Sequence, residues 1–279
     1  MIPRSRRDDR RGMILLNVLI VVAIAAAAVT VMIVAQDMQV RRAIRLHDAA
    51  QAQAYGRAGE LSAVVALRRD ALTAPTIDTL DEPWAAIGQQ AISIPGGEFA
   101  LTIADEQARF NINSVARGDA VSAYALLNIA EAAGVPRPTI ELIALTISTL
   151  GPLRDDGPLR TAGVDPAELQ RLAPYVTFLP ADARVNLNTA DRALLEILLQ
   201  DPAAVRRVID ARSRGGLRQE EAMAFSAGGL LGVTSDHFRV DTTVRVGDVV
   251  RRTSSVIERK PGLEGPAVTV ISRRRLPTA

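Results

Sequence analysis

Side chains able to do chemistry are few and scattered. The chain has no cysteine, and its only histidines, His47 and His237, lie far apart in sequence. Disulfides, thiolate metal sites and cysteine nucleophiles are therefore excluded, and no Ser/His/Asp arrangement of recognisable spacing occurs. No glycine loop of the nucleotide-phosphate type is present; Gly96-Gly97, Gly215-Gly216 and Gly228-Gly229 read as turns. Asp81-Glu82 and Glu220-Glu221 are neighbouring carboxylates that read as exposed faces, not as an acid and a base across a cleft. Nothing in these residues argues for an enzyme.

One junction does suggest a reaction performed on the chain. Arg4, Arg6, Arg7, Arg10 and Arg11 crowd the N-terminus and end at Gly12, and Met13 to Ala35 follows without a charge or a proline. Asn17 and Thr30 are the clearly polar side chains of that stretch. At about 1.5 Å of rise per residue it reaches roughly 35 Å as a helix, enough for a hydrocarbon core of about 30 Å. A secretory signal has a shorter apolar run and a small-x-small site, for which Ile33-Val34-Ala35 is a poor match. A signal anchor fits the length and keeps the arginines cytoplasmic. A type IV prepilin leader, cut after Gly12 and before the apolar segment, fits the basic leader and the glycine as well.

The 279 residues leave room beyond this anchor for one large or two small domains. Aromatics are few and alanine abundant, which suggests helix-rich packing with small side chains. Net charge is only +2, and Lys260 is the only lysine. Without residues 1–12 the chain is near neutral, which is not a nucleic-acid footprint.

From Gln36 to Ala74 there is no proline, and Val40, Ala43, Ile44, Ala54, Ala58, Leu61, Val65 and Leu72 recur at helical steps. The pattern predicts one helix from Met13 to about Leu72, ended by Pro75, with this stripe laid on a globular domain. Asp78 to Pro95 reads as irregular. Phe99, Leu101 and Ile103 alternate, as do Phe110 and Ile112, which predicts a hairpin turning at Asp105-Glu106-Gln107. Helical signals fill 114–236: helices over 120–133 and 138–150, a capping box at Asp165 to Glu168, and a helix capped by Asn188 and running to Gln200. Two more follow, one opening at Asp201-Pro202 and one over 219–225. Alternation returns at Phe238, Val240, Thr242, Val244 and Val246, runs back over 249–258, and closes at Val268 to Ile271. The loop between the last two strands is Lys260 to Gly265. A lone hairpin is marginal, so the early and late strands are expected to form one antiparallel sheet.

This order resembles the K-type minor pseudopilins of type II secretion systems. The likeness rests on Arg11-Gly12-Met13, Asp105 to Asn113, Pro174 to Pro180, Val185 to Ala190, and the strands from His237 through Arg252. It implies an α+β, pilin-like fold: a long N-terminal helix on an antiparallel sheet, with a large all-helical insert between strands. The implied divisions are a leader (1–12), a transmembrane helix (13–35), its periplasmic extension (36–75), a first part of the sheet (76–113), a helical insert (114–236) and a second part of the sheet (237–279). It further implies a single-pass inner-membrane protein with its C-terminal domain in the periplasm. A prepilin peptidase would cleave at Gly12, and Met13 would be N-methylated. The implied partners are the I-, J- and H-type minor pseudopilins, met through Val40, Ile44 and Leu61, together with the major pseudopilin and the inner-membrane secretion platform.

Two departures matter. Most pilins and pseudopilins carry a glutamate at the fifth mature position, which neutralises the N-terminal ammonium of a neighbour; here that position is Asn17. An unpaired buried ammonium is costly, so the departure points to a subunit at the filament tip. The family's globular domain also binds calcium, but the corresponding segment here keeps only Asp155 and Asp156. Calcium takes six to eight oxygens, and the pair reads equally as a solvated loop. A minor type IV pilin shares the leader and helix. A membrane-anchored helix-hairpin-helix DNA-binding protein is the alternative from another class, suggested by Asn186 to Ala190 and by Arg206, Arg207, Arg212 and Arg214. The connection Leu199 to Ala203 lacks the glycines that approach phosphate in such proteins.

Overall fold

The computed structural model describes residues 7–88, 91–225, 229–262 and 265–277, with the backbone alone for 7–12. Residues 1–6 of the leader, Gly228 of the second glycine pair, and Leu263 and Glu264 of the expected loop lie outside the described residues.

The first helix, α1, spans Arg7–Thr73 without a break between its apolar and polar halves. It rests on a five-stranded antiparallel sheet made of β1 (Ile92–Ile94), β2 (Gly97–Asp105), β7 (His237–Val246), β8 (Val249–Lys260) and β9 (Ala267–Leu276), in the order β1-β2-β7-β8-β9. Early and late strands thus share one sheet, as expected. Phe238, Val240, Thr242, Val244 and Val246 all turn inward. Leu101 and Ile103 of β2 and Ile257 of β8 join Leu67 and Ala63 of α1 in the core beneath the helix.

The face of α1 that is buried is not the one the periodicity suggested. Ala52, Gly59, Ala63 and Leu67 pack on the sheet, whereas Ala54, Ala58, Leu61, Val65 and Leu72 point outward. The helix is apolar on both sides, and the side with the smaller residues won. A Cβ at Gly59 would stand 2.4 Å from Phe99 Cζ, so only this face lets the helix come so close.

The segment read as irregular, Asp78 to Pro95, contains the short helix α2 (Pro83–Ala86) and β1. Trp84 is buried there, edge-on to Phe238 at 5.1 Å between ring centroids. The expected hairpin after β2 does not form. β2 pairs with β1 and β7, while β3 (Phe110–Asn111) pairs in parallel with β4 (Val176–Thr177). The Asp105 carboxylate accepts the Gln107 amide at 2.7 Å and caps a single 3₁₀ turn, Glu106–Ala108. That turn sends the chain away from β2, and Phe110 and Ile112 enter the core of the insert instead.

The insert consists of α3 (Ala120–Ala132), α4 (Arg137–Leu150), α5 (Gly157–Thr161), α6 (Pro166–Leu172), α7 (Arg192–Leu199), α8 (Pro202–Arg212) and α9 (Gln219–Ala222), with the short parallel pair β5 (Val185–Asn186) and β6 (Leu231–Gly232). Leu126, Ile129, Ile143, Ile147, Leu187 and Leu195 are part of its core. Asp165 caps α6 through the Ala167 amide at 2.8 Å, but Glu168 does not close the expected capping box. Its carboxylate accepts from Thr139 Oγ1 at 2.7 Å and ties α6 to α4. Nor does Asn188 cap α7, which starts after Asp191. Buried Asn188 accepts from the Leu217 amide at 2.7 Å and donates to the Leu217 carbonyl at 3.0 Å, bridging two loops.

Candidate functional site

The first candidate surface is the outward face of α1. Met13 to Val34 carry no burial inside the protein, so α1 has a segment long and apolar enough to cross a membrane. Asn17 lies on this exposed segment. Farther along, Val40, Ile44 and Leu61 are 56%, 54% and 63% exposed. Val65 and Leu72 extend the row along the helix. A row of large apolar side chains in water is unusual for a monomer and marks a surface for another apolar partner. Gly12 is helical in backbone and precedes this face directly.

The second feature was missed by sequence reasoning. Arg259 of β8 is buried between the end of α1 and the loop after it. Its guanidinium donates to Asp70 Oδ2 at 2.7 Å, to Asp78 Oδ1 and Oδ2 at 2.5 and 2.7 Å, and to the Ser235 carbonyl at 2.7 Å. It also lies 4.9 Å from the centre of the Phe238 ring. Burial pushes the Asp78 carboxyl up to about 7, against the pull of Arg259 and the Ser235 amide. Burial raises Asp70 as well, against its Arg259 bond. The Arg259 guanidinium is itself raised: desolvation opposes its charge, but the two carboxylates outweigh it.

Beside it, Asp105 is wholly buried without a cation. It accepts from Ser235 Oγ at 2.6 Å, Thr189 Oγ1 at 2.5 Å and Asn186 Nδ2 at 3.1 Å, and burial raises its pKa. Gln107 donates to the Arg184 carbonyl at 2.9 Å and accepts from the Asp236 amide at 2.7 Å. These bonds lock the insert to the sheet. The segments Asp105 to Asn113 and Val185 to Ala190 carry the resemblance, and their short polar residues between apolar ones are the local signal of such a junction. Their role is structural.

Asp70, Asp78 and Glu82 offer carboxylate oxygens within 4.8 Å of one another. Arg259 already bonds Asp70 and Asp78, and Glu82 accepts the Thr79 amide and the Trp84 indole N–H. Asp155 and Asp156 do not compose a calcium cradle either. Asp155 accepts its own Gly157 amide at 2.9 Å, and Asp156 accepts Arg160 Nε at 3.1 Å. Both sit on a cleft also lined by Arg109, Arg154, Arg160 and Arg239. Two engaged carboxylates among guanidiniums are a poor donor set for a hard cation.

His237 is buried, with Nδ1 3.3 Å from Gln107 Oε1 and Nε2 3.4 Å from Glu258 Oε1. Burial lowers its pKa against the pull of Glu258. Of the arginines proposed for nucleic acid, Arg212 donates inward to the Leu187 carbonyl at 2.9 Å and the Ala190 carbonyl at 2.6 Å. Arg207 lies 5.1 Å from the Phe225 ring centre. Asp201 occupies the α7–α8 connection and caps α8 through Ala203 at 2.8 Å.

A membrane-length helix continued over a small antiparallel sheet defines a pilin-like subunit. No protein-family model matches the chain. Two curated relatives are both named Type II secretion system protein K. The one from Klebsiella pneumoniae is 28% identical, covering 95% of this chain and 96% of its own length. The one from Pseudomonas aeruginosa is 27% identical, covering 77% of this chain and 76% of its own length. A chain in the crystal structure of the GspK-GspI-GspJ complex from the type 2 secretion system of enterotoxigenic Escherichia coli shares the fold. Its TM-score is 0.67 at 22% identity, over 85% of this chain and all of that one. In sequence the chain is similar to these two type II secretion system K proteins, and in fold to the chain of that complex.

Proposed function

We propose that this protein is a non-enzymatic tip subunit that helps initiate a short periplasmic pseudopilus, and so supports protein export across the outer membrane. The observation that carries the reading is the apolar face of α1, left open beyond the anchor at Val40, Ile44 and Leu61. A face of that composition is satisfied by another helix with the same need. The partners are other minor pseudopilins of the I, J and H types, and then the major pseudopilin and the inner-membrane platform. The structural neighbour was solved in a GspK-GspI-GspJ complex, which supports this choice.

The arginines before Gly12 keep the short N-terminus cytoplasmic and the C-terminal domain periplasmic. Cleavage after Gly12 by a prepilin peptidase exposes Met13 for N-methylation. Asn17, where stacked subunits carry a glutamate, suits a subunit with none ahead of it, and the bulk of the insert would block addition above it. Ile44→Asp tests the reading. Co-purification with the I- and J-type partners should fall at least tenfold while the thermal midpoint stays unchanged; undiminished co-purification removes this face from the interface.

A further inference from the structure

A small cavity of about 90 Å³ lies between α1 and strands β7, β8 and β9. Its lining is basic. Arg57, Arg251 and Arg273 face it with a single carboxylate, Glu60, which accepts from Arg273 Nε at 3.1 Å. That pair is neutral, so Arg57 and Arg251 are left without a carboxylate among the described residues. Thr242 and Ser255 also line the cavity and are only 4% and 2% exposed. Both hydroxyls line the space and can donate into it. Above them the helix carries Gly56, where a Cβ would stand 3.9 Å from Thr242 Oγ1. The missing side chain keeps the space open.

Hydroxyls facing such a space can donate to a ligand, and guanidiniums bind oxyanions through charge-assisted hydrogen bonds. A cation would meet unpaired arginines, and an apolar ligand would leave both hydroxyls unmet. We propose that this cavity is a binding site for a small oxyanion, with Arg57 and Arg251 supplying charge and Thr242 and Ser255 donating hydrogen bonds. The oxyanion is either a free phosphate-like ion or the carboxylate end of a side chain from a neighbouring subunit. Arg57 adjoins Ala58 on the outward face of α1, so a neighbour packed there has access. The free-ion case stands without the assembly reading, whereas the neighbour's carboxylate rests on it.

The test uses the full chain in detergent, with sodium phosphate titrated against sodium chloride at equal ionic strength and the thermal midpoint read. Phosphate should raise the midpoint saturably where chloride does not, as a ligand of the folded state must. Gly56→Ala sets a methyl group against Thr242 without a steric clash and should weaken the response at least fivefold while the protein stays folded. Arg57→Gln, at an exposed position, should weaken it at least fivefold. Sulfate and acetate separate the sources: a response to sulfate alone points to a free tetrahedral ion, and one to acetate as well points to a neighbour's carboxylate. Equal effects of phosphate and chloride, or an undiminished response in Gly56→Ala, overturn the site.

Discussion

Arg259 is the residue on which the junction of sheet, helix end and insert depends. It neutralises two buried carboxylates, and removing one partner of such a group leaves uncompensated charge. Arg259→Met should therefore cost about 3–5 kcal/mol, read from urea unfolding of the full chain in detergent. The same cluster sets a pH dependence. Burial raises the folded Asp78 carboxyl to about 7, above its ordinary value of 3.8. The folded state thus holds this proton more tightly than the unfolded one. The contribution is full below the unfolded value and is lost as pH rises through about 7. Asp78→Asn removes the titration, while His237, lowered by burial, acts in both proteins and cancels in a comparison. The thermal midpoint of wild type relative to that of Asp78→Asn should fall from about pH 5 to about pH 8; a constant difference would contradict the assignment.

At the scale of elements, α1 uses its glycines in opposite ways. In a helix interior Gly→Ala ordinarily stabilises by about 0.5–1 kcal/mol. Gly56→Ala should show that gain, because its Cβ meets nothing closer than 3.9 Å. Gly59→Ala should instead destabilise by about 1–3 kcal/mol, because its Cβ would lie 2.4 Å from Phe99 Cζ and 3.1 Å from Leu101 Cδ1. Urea midpoints of the two variants, measured side by side without phosphate, check the claim. The contrast also explains why the sheet lies against this face of the helix and leaves Leu61 and Val65 exposed.

For the whole molecule, the function proposed above would have the apolar segment of α1 hold a folded domain at a membrane, with the open helix face presenting it to other subunits. Maturation would be its first step. Intact mass of the protein from membranes should give a chain beginning at Met13 when a prepilin peptidase is present and the uncut chain when it is absent. An uncut chain in both cells would leave only a signal anchor.

The sequence by itself determined the parts whose signals are local. A run without charge or proline specified the anchor, period-two alternation specified β2 and β7, and caps such as Asp165 placed individual insert helices. The segments Asp105 to Asn113 and Val185 to Ala190 carry the resemblance without revealing why those residues are there. Tertiary structure alone decided the rest. Both sides of α1 are apolar, so only the fit against Phe99 and Leu101 chose the buried one. Phe110 and Ile112 alternate like a hairpin strand, yet one capped turn delivers them to Val176 and the insert core. Arg259 meets Asp70 and Asp78 across 189 and 181 residues of chain. A buried ion pair of that kind has no local pattern; it exists because the fold brings the three groups together in a place too dry for any one of them alone.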